Sequence, residues 1–485
     1  MHKGDKHHLQ LFDAIDKMKD HREDELLKKL RHTSFAATLS MQKNRLTDYI
    51  LKCLRNYHEN SSVRLRLANL NEEIHILFKK GLYELGSEKI KKAKSLAENY
   101  EEFPALMELY EMENNILRRK SFQPLQMDEI KDRHRKVNTI LGKYQNLITY
   151  SYFKYEFEKY IESGLQSRSR STIEKIKTLI KNPLLGNGDK ALSLKAKEQY
   201  YFILGSYYRS IFEYEKAVEM DEVYVQLIES NQHHIGEYTG IYMGVLMNLS
   251  IAYIEVGKYK QALDNLNKLN KLAKEDLRFR KLKTLSSLMR RAYAVELFAY
   301  VQSGKISEGK TLIRRIEKEV GPKEVGNKNV EITILYYTAC LFVLTGEYNK
   351  ALPAINKVIA FDDSVRRDLH AFARVLNMLV HFELENLELL ESVVKSTYRY
   401  LIKRDHLFEF EKRMIIFIRK KLMKVANRSE LLNAFSEFKM ELEELLKDPY
   451  ERGVLLYFDI ISWLESRIEN RPFVDIVREK VKDHL

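Results

Sequence analysis

GKYKQAL, residues 257–263, returns as GEYNKAL at residues 346–352. In both stretches a glycine is followed by a tyrosine two places on and by an alanine three places after that, in otherwise different surroundings. Glycine takes the left-handed backbone conformation that ends a helix without a Cβ penalty. A small residue five places later removes the bulk that would hold a second helix away from the first. The stretch predicts a helix, a tight turn and a second helix folded back on it.

Working outward, four segments align on this pattern. They read YYFILGSYYRSIFEYEKAVEM from Tyr200, LMNLSIAYIEVGKYKQALDNL from Leu246, YAVELFAYVQSGKISEGKTLI from Tyr293 and LYYTACLFVLTGEYNKALPAI from Leu335. Gly257, Gly304 and Gly346 occupy the turn, and Phe212 takes that place in the first copy. Tyr259, Ile306 and Tyr348 are expected between helices. Ala217, Ala262, Gly309 and Ala351 are expected where two helices touch. A degenerate copy precedes them from Ile76, with Gly81, Tyr83 and Gly86, and another follows from His381 without the glycine.

These segments resemble the tetratricopeptide repeat, a helix-turn-helix unit of 34 residues. The turns here are 45, 47 and 42 residues apart, so the helices or their connections must be longer than usual. The resemblance covers residues 61–400 and implies an all-α fold, a tetratricopeptide-like α-solenoid of antiparallel helix hairpins. Its implied domains are an N-terminal helical cap (1–60), degenerate hairpins (61–196), a solenoid core (197–400) and a C-terminal helical cap (401–485). In the last, Tyr457, Ile460, Ile461 and Leu464 form an apolar stripe beside Trp463, which reads as core. The closing stretches are also similar to those of bacterial repeat proteins of comparable length, a resemblance that implies no activity.

Composition agrees with the helical reading. Only 18 Gly and 7 Pro in 485 residues leave too few turn residues for a sheet-rich fold. Two cysteines, Cys53 and Cys340, make no CxxC and suggest neither a disulfide framework nor a cysteine zinc site, so a cytoplasmic location is expected. The first twenty residues contain no apolar signal core, and no stretch approaches the roughly 18 uncharged apolar residues of a membrane span. Neither export nor a membrane span is expected.

In the repeat family the first helices of successive units line a concave groove that takes extended peptides or helices. Carried onto this sequence, that register implies a protein- or peptide-binding groove of Phe202, Arg209, Met247, Ile251, Glu255, Arg291, Phe298, Tyr336 and Cys340. Such a mixed apolar and aromatic surface suits an amphipathic segment held by a few anchors. The family's carboxylate clamp places Lys and Asn at fixed positions. Phe202, Met247, Ala294 and Tyr336 stand there instead, so a clamp for a chain terminus is not implied.

Three other chemistries deserve weighing. The net charge is +13, and between Lys258 and Arg291 eleven Lys or Arg face three acids, which could attract phosphates. The basic residues alternate at helical spacing with Leu263, Leu266, Leu269 and Leu272, as a solvated outer face would. Residues 24–57 could form a helix-turn-helix with Gln42, Lys43 and Arg45 toward bases, or a cap that packs Leu46, Ile50, Leu51 and Leu54 inward. GKISEGKT, residues 304–311, matches the phosphate-binding loop GxxxxGK[ST], with Lys310 and Thr311 in the functional places. That loop needs a preceding strand, whereas Ala294, Leu297, Phe298 and Val301 share a helical face. VIAFDD, residues 358–363, could end a magnesium-binding strand, but Asp362 also falls where a repeat closes. His2, His7, His8, His233 and His234 lack the spacing of a helical metal site. With no GxSxG, HExxH or GxGxxG motif, no catalytic residue, metal or cofactor is expected.

Overall fold

A computed structural model describes residues 7–18, 22–33, 36–119, 125–161, 170–235, 238–280, 284–319, 327–403, 408–424 and 427–483. Among them there are helices and turns and no strand. The chain divides into two units, Met1–Tyr144 and Gln145–Leu485.

In the first unit, helices His7–Asp16, Glu23–Leu30 and Leu39–His58 share a small core of Leu11, Leu26, Leu30, Leu39 and Leu46. The expected inward stripe is narrower than the sequence suggests. Leu46 is buried and Ile50 half-buried, but Leu51 and Leu54 face solvent. Gln42 is buried and Lys43 pairs with Glu23 at 2.6 Å, while Arg45 is exposed and has no ion pair among the described residues. Helices Val63–Lys79 and Tyr83–Asn99 then form the hairpin read from Gly81. A Cβ on Gly86 would stand 2.3 Å from the Phe78 ring, so the close approach there requires glycine.

Five hairpins follow one another in the second unit. Their leading and trailing helices are Leu194–Ser210 with Tyr214–Glu229, Thr239–Glu255 with Tyr259–Glu275, and Leu285–Gln302 with Ile306–Glu319. Lys328–Leu344 with Tyr348–Ala360 and Arg367–Glu383 with Leu387–Lys403 complete the set. Each leading helix packs on its own trailing helix, and from the second hairpin onward also on the next leading helix. The long spacing between turns lies in helices of up to 18 residues and in one-turn helices, Gln232–Ile235 and Leu277–Arg280, within the connections.

Every hairpin closes with the same pair of backbone bonds. Gly257 N–H donates to the Ile254 carbonyl and Lys258 N–H to the Tyr253 carbonyl, at 3.1 and 2.8 Å. The same two bonds recur at 212 and 213, 304 and 305, 346 and 347, and 385 and 386. This is the Schellman cap, whose turn residue must be left-handed. Gly257, Gly304 and Gly346 have φ of 77°, 66° and 73°, and Phe212 and Glu385 adopt 64° and 57° without being glycine. The small-residue positions behave as read. Ala217, Ala262 and Ala351 are fully buried, and a Cβ on Gly309 would come within 2.9 Å of Leu341.

After the fifth hairpin come a helix Glu409–Ile416 that runs into a π-helical turn Phe417–Lys421, then helices Arg428–Leu445, Ile460–Ile468 and Phe473–Asp483. Ile460, Trp463 and Leu464 are completely buried, and the Trp463 indole donates to Glu383 at 2.7 Å. This closing segment shares one continuous core with the third to fifth hairpins. No described helix is long and apolar enough to cross a membrane.

Candidate functional site

The leading helices of the second, third and fourth hairpins each present one face to a common cavity of about 500 Å³. Met247, Ile251 and Glu255 recur at intervals of four on the first, Arg291, Ala294 and Phe298 at three and four on the second, and Val330, Thr333 and Tyr337 on the third. Those intervals place them on one side of a helix. Asn248, Asn327 and Asn329 add amide groups, and residues 364–366, Asp368, Leu456 and Tyr457 close the far end. The Phe298 and Tyr337 rings stack on each other in its lining, with centroids 4.9 Å apart at 25°.

Two ion networks, the first buried and the second half-buried, shape the ends of this cavity. At one, Arg209 reaches from the first leading helix to Glu255 (Nε to Oε2, 2.8 Å) and to Asp221 (Nη2 to Oδ2, 2.8 Å). It also donates to the Asn248 carbonyl at 3.3 Å. Gly205 makes room, because a Cβ there would stand 2.5 Å from Asp221 Oδ1. Burial pushes the Asp221 carboxyl up despite the Arg209 charge beside it. Burial alone would lower the Arg209 guanidinium, yet Glu255 and Asp221 hold it above its ordinary range. Arg209 therefore ties three helices together rather than facing a ligand, and it occupies the carboxylate of Glu255.

At the other end Arg366 grips Asp368 through Nε and Nη2, at 2.9 and 2.7 Å, and donates through Nη1 to Thr333 Oγ1 at 2.8 Å. The Tyr457 hydroxyl donates to the same carboxylate at 3.0 Å. Burial raises the Asp368 carboxyl, but the Arg366 charge and hydrogen bonds outweigh it and leave the group below its ordinary range. Arg366 achieves this from a left-handed backbone, φ 50°, just before its helix. A non-glycine residue in that region costs of the order of 1–3 kcal/mol and persists where its surroundings hold it.

Arg291 differs from both. An exposed residue, it lines the cavity with no ion-pair or hydrogen-bond partner among the described residues, and partial loss of water around the guanidinium lowers its pKa. It is the unneutralised charge of the wall.

Of the nine residues assigned to a groove, Met247, Ile251, Glu255, Arg291 and Phe298 meet at this cavity. Phe202 lies elsewhere, beneath the Lys154 ammonium 4.6 Å from its centroid. Tyr336 and Cys340 are turned to the chain's own closing segment. The Tyr336 hydroxyl donates to the Tyr457 carbonyl at 3.2 Å and the Cys340 thiol lies 3.8 Å from the same oxygen. Gln302 Nε2 donates to the neighbouring Leu456 carbonyl at 3.0 Å, and the Tyr457 ring stacks on Phe372 at 4.1 Å. Sequence reasoning missed Tyr337, Arg366 and Asp368. Tyr337 is one step from the residue chosen, and Arg366 with Asp368 precedes or opens a helix, outside the repeat pattern.

The remaining motifs resolve into repeat geometry. GKISEGKT follows a helix, not a strand; Gly304 is its turn, Lys310 pairs with Glu347, and the Thr311 hydroxyl donates to the Ser307 carbonyl at 2.9 Å. VIAFDD ends a helix, where Asp362 Oδ1 accepts the Ser364 N–H at 3.0 Å. In the basic 258–291 stretch Leu266 and Leu269 are buried, Lys268 pairs with Glu229 and Arg278 with Asp276, and Lys258, Lys260, Lys274 and Arg280 face solvent. Residues 281–283 lie outside the described residues, as does His2. The His8 ring lies against Tyr49 and the His234 ring stacks on Tyr238. Among the described residues no group of three His, Cys, Asp or Glu is placed to hold a metal ion. No family model, curated protein or solved structure matches the chain.

Proposed function

We propose that the chain is a non-enzymatic binding protein of the tetratricopeptide solenoid type, and that the cavity between its leading helices receives a short segment of a protein partner. The observation that carries this reading is Arg291, a charge with no ion-pair or hydrogen-bond partner among the described residues, on a lining that it shares with Met247, Ile251 and Phe298. At about 500 Å³ the cavity falls in the range of about 300–1,000 Å³ typical of ligand pockets. An apolar side chain flanked by an acidic one matches it, with the asparagine amides left for the segment's backbone.

Selection of displayed peptides on the full chain tests the reading. Peptides with an acidic residue beside an apolar one should be enriched, and Ile251→Glu or Arg291→Glu should each weaken them at least tenfold while helical content is unchanged. Binding by both variants as tight as that of the unmodified chain would remove the cavity from consideration. Recovery of nucleic acid alone, falling steeply between 50 and 200 mM salt, would shift the function to the basic 258–291 face.

A further inference from the structure

The fifth trailing helix, Leu387–Lys403, and the helix Glu409–Ile416 that follows it come together at the π-helical turn Phe417–Lys421. Between them lies a second cavity, about 520 Å³, that shares no residue with the first. Its apolar lining is Val394 and Ile415, both buried, with Tyr398 and Ile416 still 45% and 50% exposed. Beside these run two basic rows, Lys395 and Arg399 on one helix, and Lys412, Arg419 and Lys420 on the other. Among the described residues no acid lines it.

The spacing explains the arrangement. Positions 394 and 398 form an apolar row with 395 and 399 next to it, and 415 and 416 are flanked three and four residues away by 412, 419 and 420. Arg399, Arg419 and Lys420 are in no ion pair among the described residues. Lys395 and Lys412 pair only within their own helices, with Glu391 at 2.6 Å and Glu409 at 2.7 Å. Exposed pairs of that kind contribute little, so a ligand's carboxylate can replace the partner at little cost. Three of the five cations around the apolar floor therefore have no ion pair among the described residues, with Glu391 the nearby acid that also acts on Arg419.

We propose that this groove docks an acidic amphipathic helix from a protein partner. Its apolar face covers Val394, Tyr398, Ile415 and Ile416, and its flanking carboxylates meet the two basic rows. The run from Lys412 to Lys420 spans about 12 Å at 1.5 Å per residue, a little over two helical turns. Nucleic acid would satisfy the cations but not the floor. Bases need flat aromatic platforms, and only Tyr398 offers one here, beside aliphatic side chains. The proposal does not depend on the peptide reading of the first cavity.

Fluorescence anisotropy of the full chain with three labelled probes tests it. The probes are a 16-residue helical peptide with Leu on one face and Glu on its flanks, the same peptide with Leu replaced by Ser, and a single-stranded DNA of equal charge. Arg399→Glu with Arg419→Glu should weaken the first peptide at least tenfold, and the Ser peptide should bind the unmodified chain at least tenfold less tightly. Reversal of the same number of charges at Lys258 and Lys260, on the basic repeat face, should change affinity less than twofold. If the first pair impairs folding, Tyr398→Ala with Lys420→Glu provides the same comparison. Equal losses from both charge reversals, indifference to the Leu replacements, or tighter binding of DNA that Arg399→Glu with Arg419→Glu abolishes would each overturn the proposal.

Discussion

Phe212, Gly257, Gly304, Gly346 and Glu385 share a left-handed backbone but not a side chain. The cap is therefore imposed by its two hydrogen bonds and the packing of the helices, with glycine only the least strained occupant. Phe212 adopts a conformation that costs an L-residue roughly 1–2 kcal/mol while its ring lies 5.7 Å from Tyr450 of the closing segment. At Gly257 and Gly346 the Cβ position is open, so Gly257→Ala and Gly346→Ala should each cost only the conformational strain, about 1 kcal/mol. Gly304→Ala should cost more, because its Cβ would stand 2.9 Å from Arg478 Cγ and disturb the bond from Arg478 Nε to the Gly304 carbonyl. Urea denaturation of the three variants checks the order; equal losses would contradict it. The turns that carry glycine were legible in the sequence because backbone strain selects residue type. The copy from His381 was legible without that mark, but its turn residue was not, since at Glu385 the helices override the preference.

Single helices divide along the same line. The leading helices of the second and fourth hairpins are apolar nearly all round, as helices buried on several sides are. Periodicity then cannot say which face meets the cavity, and a one-residue step of 100° separates Tyr337, in its wall, from Tyr336, under the closing segment. Arg291 was legible because the register of the repeat resemblance carries it to the groove side of its helix; Arg366 and Asp368 were not, since an arginine and an aspartate near a helix start are ordinary surface residues in most sequences. The fifth leading helix carries a buried histidine. His370 has neither ring nitrogen hydrogen-bonded among the described residues. Burial lowers its pKa, aided by Arg374 and opposed by Asp363, Asp368 and Asp362. The unfolded chain therefore takes up a proton near pH 6.5 that the folded chain refuses. The contribution is fully present above that pH and is lost as pH falls below it. Melting temperature should drop between pH 7 and pH 5, and His370→Phe should flatten the slope; an unchanged slope would place the sensitivity elsewhere.

Across the whole chain, the hairpins are built from neighbours in sequence, but the wall beside Cys340 is finished by residues far downstream. Burial pushes the Cys340 thiol up to about 12, and the Tyr457 carbonyl covers it. A maleimide reagent should modify the exposed Cys53 and leave Cys340 untouched in the native protein, since the thiolate is the reacting form. Tyr457→Ala removes the stack on Phe372 and the bond to Asp368, and should speed modification of Cys340 severalfold without altering Cys53. Unchanged protection would mean that the leading helices alone bury it. The apolar stripe after Leu455 is visible in the sequence and packs as core, but its seat on two of the assigned groove residues is not, because a contact across 117 positions leaves no periodic trace.

That separation also bears on synthesis. A ribosome adds about 5–20 residues per second, so Tyr457 emerges roughly 6 to 23 seconds after Cys340. Each hairpin can close on its own cap as it leaves the tunnel. The side of the fourth hairpin that carries Tyr336 and Cys340 cannot, and through that interval the nascent chain presents it bare to chaperones and to other nascent chains.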